Sequence, residues 1–139
     1  MVKILILEDD ETFGGLMAEQ LMAEGHSADL FRSLSPALES LRTTTYDVVI
    51  ADLLIKAQDR YQPEGGLTLI QKLKTLSFDR GRKIPVIAIS GSIRNPGMER
   101  SLAIARRMGA DAALAKPFQP DALSAVVRKV LTPKHRPMV

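Results

Sequence analysis

Ile4-Leu5-Ile6-Leu7-Glu8-Asp9-Asp10 decides the fold. An unbroken run of isoleucine and leucine suits a strand buried on both faces, as in a parallel sheet covered by helices. Three acids end the run. The same construction returns twice. Asp47-Val48-Val49-Ile50-Ala51 ends at Asp52, and Ile84-Pro85-Val86-Ile87-Ala88-Ile89 ends at Ser90-Gly91. Two weaker runs, Ser27 to Phe31 and Asp111 to Ala115, bring the set to five, the last closing on Lys116-Pro117.

Helical patterns separate these runs. Phe13, Leu16, Met17, Leu21 and Met22 recur at three- and four-residue steps, with Gly25 as a C-terminal stop. Ser35-Pro36 reads as N-cap and first helical position before Ala37 to Arg42. Leu67 to Leu73 is helical, Asn95-Pro96 opens a helix to about Met108, and Gln119-Pro120-Asp121 opens another to about Leu131. Leu53 to Gly66, punctuated by Asp59, Pro63 and Gly65-Gly66, reads mostly as loop. Strand and helix alternating five times predict an α/β fold: a doubly wound parallel sheet with helices on both faces and right-handed crossovers.

Composition agrees with one globular domain. The chain has 139 residues, 45% hydrophobic and 25% charged, too apolar for disorder. It has no cysteine, which excludes disulfide scaffolds, Cys-type zinc sites, iron–sulfur clusters and a Cys nucleophile. His26 and His135 are far apart, which disfavours a histidine metal site. The net charge of +3 is too small to indicate nucleic acid by itself. No apolar run approaches the ~18–20 residues of a membrane span, and no signal-peptide pattern follows Met1. We expect a cytoplasmic domain over 1–131, with a basic tail over 132–139 and no membrane or direct nucleic-acid partner.

In open parallel sheets, ligands bind beyond the carboxyl ends of the strands. Those ends carry Glu8-Asp9-Asp10, Asp52, Ser90 and Lys116. Clustered carboxylates repel and call for a cation, and hard oxygen ligands suit Mg²⁺. An aspartate beside such a cation, a lysine and a hydroxyl make a set suited to phosphoryl transfer, which needs positioning and charge neutralisation above all. Taken singly, each has a plainer explanation. Acids favour a helix N-terminus, Asp52 and Ser90-Gly91 fit turns, and Lys116 fits a surface position. The arginines and lysines at 94, 100, 106, 107, 128 and 129 suit solvated helix faces or a dock for an acidic partner.

With Leu7-Glu8-Asp9-Asp10, Ile50-Ala51-Asp52, Ala88-Ile89-Ser90-Gly91 and Ala115-Lys116-Pro117-Phe118 in order, the chain resembles the receiver domain of two-component response regulators from about Lys3 to Leu131. The interval from Asp9 to Asp52 also fits. The resemblance implies a flavodoxin-like (βα)5 fold of strand order 2-1-3-4-5. It makes Asp52 the phosphoacceptor, with Ser90 and Lys116 holding the phosphoryl group. Mg²⁺ would be held by Glu8, Asp9, Asp52 and the backbone carbonyl of Leu54. The Lys116-Pro117 peptide would be cis. The implied partners are a histidine kinase or histidine phosphotransfer protein and a downstream protein. The domain would be no enzyme beyond its own phosphorylation and dephosphorylation, and a monomer or weak dimer. With no effector domain after Leu131, the expectation is a stand-alone receiver acting by protein contact or onward phosphotransfer. The alternative is a phosphorylation-independent interaction module.

The chain departs from the family in three places. Ala113 replaces an aromatic residue that often changes rotamer on phosphorylation. Lys56 replaces a proline, in a connection after Asp52 that is longer than usual. Leu54 and Ser92 occupy positions that influence dephosphorylation, and Leu54 is expected to shield the phosphate from water. Neither a haloacid-dehalogenase pattern, which wants an aspartate at position 54, nor a Gly-x-Gly-x-x-Gly turn nor a P-loop is present.

Overall fold

A computed structural model describes residues 2–53, 55–57, 60–62, 64–81, 83–90 and 98–132. The apolar runs, continuous in the central strands and weaker at the edge strand β2, form the main sheet: β1 (Lys3–Leu7), β2 (Ser27–Phe31), β3 (Val48–Asp52), β6 (Val86–Ser90) and β7 (Ala112–Ala115). Their spatial order is β2-β1-β3-β6-β7, every neighbour parallel. Counting main-sheet strands alone, this is the order 2-1-3-4-5.

Side-chain alternation divides the core into two layers. Leu5 and Leu7 of β1, with Val49 and Ala51 of β3, face one side. There they pack under α2 (Leu34–Thr43), α3 (Glu64–Arg80) and α4 (Met98–Met108) through Leu41, Leu69, Leu73 and Ala105. Ile4, Ile6, Val48 and Ile50 face the other. They meet Met17 and Leu21 of α1 (Glu11–Ala23) and Leu123 and Val127 of α5 (Pro120–Leu131). Burial on both faces explains why β1 and β3 are apolar without interruption.

Helix ends follow local chemistry. Asp10 caps α1 by accepting from the Phe13 backbone N–H at 3.1 Å. Gly25 has a positive φ of 93° just past the helix, where a side chain would be strained. Pro120 opens α5 after Gln119 as expected. The start of α2 is corrected: its N-cap is Ser33, not Ser35, and Pro36 lies within the first turn, where its missing N–H leaves no helical bond unmade.

The larger correction concerns the connection after Asp52. It is not mostly loop. Short strands β4 (Ile55–Ala57) and β5 (Arg60–Gln62) pair antiparallel as a separate two-stranded sheet. Helix α3 then starts at Glu64 instead of Leu67 and runs to Arg80. Alternation over three residues a side is too short to announce a strand. Gly65-Gly66 reads as a breaker, yet Gly66 is buried within the helix because of its surroundings. A Cβ there would meet the Asp52 carbonyl oxygen and lie 2.8 Å from Leu53 Cα. Absence of a side chain lets α3 approach the end of β3. Among the described residues, no helix is long and apolar enough to cross a membrane.

Candidate functional site

The sheet brings four strand ends to one edge. Three backbone bonds of 2.9 Å extend the ladder there: Glu8 N–H donates to Phe31 O, Leu53 N–H to Ile89 O, and Lys116 N–H to Ser90 O. Registers place Asp52 opposite Ile89 and Ser90 opposite Ala115. Glu8 and Ser90 are wholly buried and Asp52 is 3% exposed, so this polar group is built into the interior. The Lys116-Pro117 peptide is cis.

Lys116 ties the acids together. Its Nζ donates to Asp52 Oδ2 at 2.8 Å and to Glu8 Oε1. Carboxylate oxygens of Glu8, Asp9 and Asp52 lie within 4.8 Å of one another. Burial, reinforced by hydrogen bonding and repulsion from Asp52, pushes Glu8 up to about 9 against the pull of Lys116. Burial alone would lower the Lys116 pKa, but its bonds and attraction to Asp52 and Glu8 raise it. Glu8 Oε2 and Ser90 Oγ are buried without a hydrogen-bond partner among the described residues. Buried polar atoms left unpaired are costly, and a bound ion, ligand or water would satisfy them.

A divalent cation fits this donor set. Three acidic side chains offer hard oxygens in close range, and the buried Glu8 Oε2 has no hydrogen-bond partner among the described residues. Leu54 and Ser92 lie outside the described residues. So do the side chain of Lys56, residues 133–139 of the tail, and two of the basic positions, Arg94 and the Arg100 side chain. Arg106, Arg107, Arg128 and Lys129 are solvent-exposed in the last turns of α4 and α5.

Two features of the site were not legible as such. Gly66 lets α3 touch the Asp52 backbone, and its sequence signal was a glycine pair that looked like a break. Phe13 reads as one more apolar position of α1, but its ring lies 4.5 Å, centroid to Nζ, from Lys116. Phe118 meets Phe13 edge-on at 5.4 Å and 74°.

A family model for the response regulator receiver domain matches residues 4–128. The transcriptional regulatory protein RprY of Bacteroides fragilis is 27% identical, covering 97% of this chain and 53% of its own length. PcoR of Escherichia coli, also a transcriptional regulatory protein, is 30% identical, covering 94% and 52%. The chain thus spans about half the length of the curated relatives it matches. Among solved structures, the receiver domain of NtrX from Brucella abortus superposes with a TM-score of 0.76 at 26% identity, covering 92% of this chain and 97% of that one. The receiver domain of a signal transduction histidine kinase from Syntrophus aciditrophicus gives 0.76 at 25%, covering 100% and 98%.

Proposed function

Because the chain belongs to the response regulator receiver family, we propose that it is a cytoplasmic phosphoacceptor switch in which Asp52 takes a phosphoryl group from a phosphohistidine on a histidine kinase or histidine phosphotransfer protein. The observation that carries this reading is the buried junction of Glu8, Asp52 and Lys116, with the Ser90 hydroxyl, which has no partner among the described residues, on the neighbouring strand end.

An Asp52 carboxylate oxygen attacks phosphorus as the phosphorus–nitrogen bond to imidazole breaks. The bonding pair leaves with the imidazole nitrogen. Lys116 moves its ammonium from carboxylate to phosphoryl oxygen, offsetting charge that would otherwise oppose the approach of an anion. Ser90 Oγ–H, bonded to nothing among the described residues, donates to another phosphoryl oxygen. Glu8, Asp9 and Asp52, with the backbone carbonyl expected from position 54, would hold Mg²⁺, which would supply charge neutralisation when bound. Hydrolysis of the acyl phosphate later restores Asp52. The phosphorylated state shifts an existing equilibrium, and a protein partner or an onward phosphotransfer reads that shift.

Intact mass after incubation with acetyl phosphate and Mg²⁺ tests the proposal. One Mg²⁺-dependent, base-labile phosphoryl adduct is expected, lost in Asp52→Asn. No adduct from acetyl phosphate or from a panel of phosphorylated histidine kinases would overturn it.

A further inference from the structure

Lys116 meets more than carboxylates. Its ammonium has Glu8 Oε1 and Asp52 Oδ2 as acceptors, and the Phe13 ring covers it at 4.5 Å from the centroid. The side chain is 21% exposed, so the ring replaces part of the water that a lysine head normally keeps. The ring is itself held. Phe13 enters the first turn of α1 with its backbone N–H on the Asp10 cap, and the Phe118 ring meets it in an edge-to-face contact. Position 113, where the family often places an aromatic residue, is alanine. The aromatic contact of the lysine therefore comes from α1, across the site from β7.

We propose that Phe13 is a positioning residue for the reaction: the face of its ring caps the Lys116 ammonium and holds it against Glu8 and Asp52, ready for the incoming phosphoryl group. The inference rests on the phosphoacceptor reading above. A lysine stem has many rotamers, and an ammonium has three donors pointing away from its stem. Two acceptors fix its position incompletely. A ring quadrupole attracts the charge from a further direction without competing for a phosphoryl oxygen as an acceptor. The competing account is that Phe13 only fills the layer between the sheet and helices α1 and α5, against which it packs.

Fluorinated phenylalanines at position 13 separate the two accounts, because they nearly keep the ring's volume while draining its quadrupole. With acetyl phosphate and Mg²⁺, the rate of adduct formation on Asp52 should fall stepwise with each added fluorine, to about one fifth for the trifluoro ring, as expected for loss of a partly exposed cation–π contact. Mg²⁺ affinity should stay within about twofold, since the ring touches the ammonium. Phe13→Leu should be slowed similarly and Phe13→Tyr should not. The second readout needs no phosphorylation: the Lys116 ε-methylene proton resonances should be ring-shifted in the unmodified protein and return to ordinary lysine values in Phe13→Leu. Unshifted methylenes, or rates indifferent to fluorination, would overturn the proposal. Shifted methylenes in a protein that accepts no phosphoryl group would overturn the functional reading and leave Phe13 a packing contact.

Discussion

Ser90 carries a hydroxyl into the interior with no partner among the described residues, an arrangement that stability alone would not favour. Removing an unsatisfied buried polar atom relieves its desolvation cost, of order 1 kcal/mol. Ser90→Ala should therefore match or exceed the native protein in urea denaturation while forming the Asp52 adduct at least several-fold more slowly. A variant that is both destabilised and fully active would remove the assigned role. Tyr46 behaves oppositely. It is wholly buried, donates to Asp29 Oδ2 at 2.7 Å and lies 2.6 Å from Ser40 Oγ. Burial, together with the Asp29 hydrogen bond, raises its pKa above the ordinary 10.0. Below that value both folded and unfolded chains keep the phenolic proton. Above it the unfolded chain releases the proton first, so stability falls as pH rises toward the folded value. Denaturation midpoints from pH 8 to 11 should decline more steeply in the native protein than in Tyr46→Phe.

Helix α3 and the hairpin before it show how much an element depends on its neighbours. The hairpin's alternation, Ile55-Lys56-Ala57 and Arg60-Tyr61-Gln62, spans only three residues a side, too few to announce strands, which are defined by pairing with each other. The start of α3 depends on Gly66 pressing against the backbone at the end of β3. A Cβ at that position meets main-chain atoms, which cannot swing aside as a flexible side chain can. Gly66→Ala should cost about 1–3 kcal/mol, as overpacking does. Because the strain falls on Asp52 and Leu53, adduct formation should slow as well. Gly15→Ala is the control: nothing lies within 4 Å of a Cβ there, and the helix interior should gain up to about 1 kcal/mol. Paired thermal melts check both directions.

Across the whole molecule, the sheet separates two apolar layers that share strands but not side chains. Ile50 belongs to the layer under α1 and α5, and Ile70 to the layer under α2, α3 and α4. Ile50→Val and Ile70→Val should each cost about 0.5–1.5 kcal/mol. Because they lie on opposite faces of the sheet, the double variant should show the sum within about 0.5 kcal/mol in denaturant titrations. A larger deviation would mean that the sheet couples the two layers. The central strands of that sheet, β1, β3 and β6, were legible because burial on both faces demands continuous apolar runs, and the polar residues ending the parallel strands gathered at one edge. Glu8, Asp52, Ser90 and Lys116 could thus be singled out from chain order and side-chain chemistry. Other features depended on contacts between distant segments, which periodicity does not record. The ring over Lys116 joins α1 to the end of β7, Gly66 answers to the backbone of β3, and the Ser90 hydroxyl is buried only once its surroundings close over it. Sequence by itself determined the layers and the chemistry at their edge, because strand burial and charge are local properties of the chain. Tertiary structure alone decided how that chemistry is held, because orientation and desolvation arise only when remote residues meet.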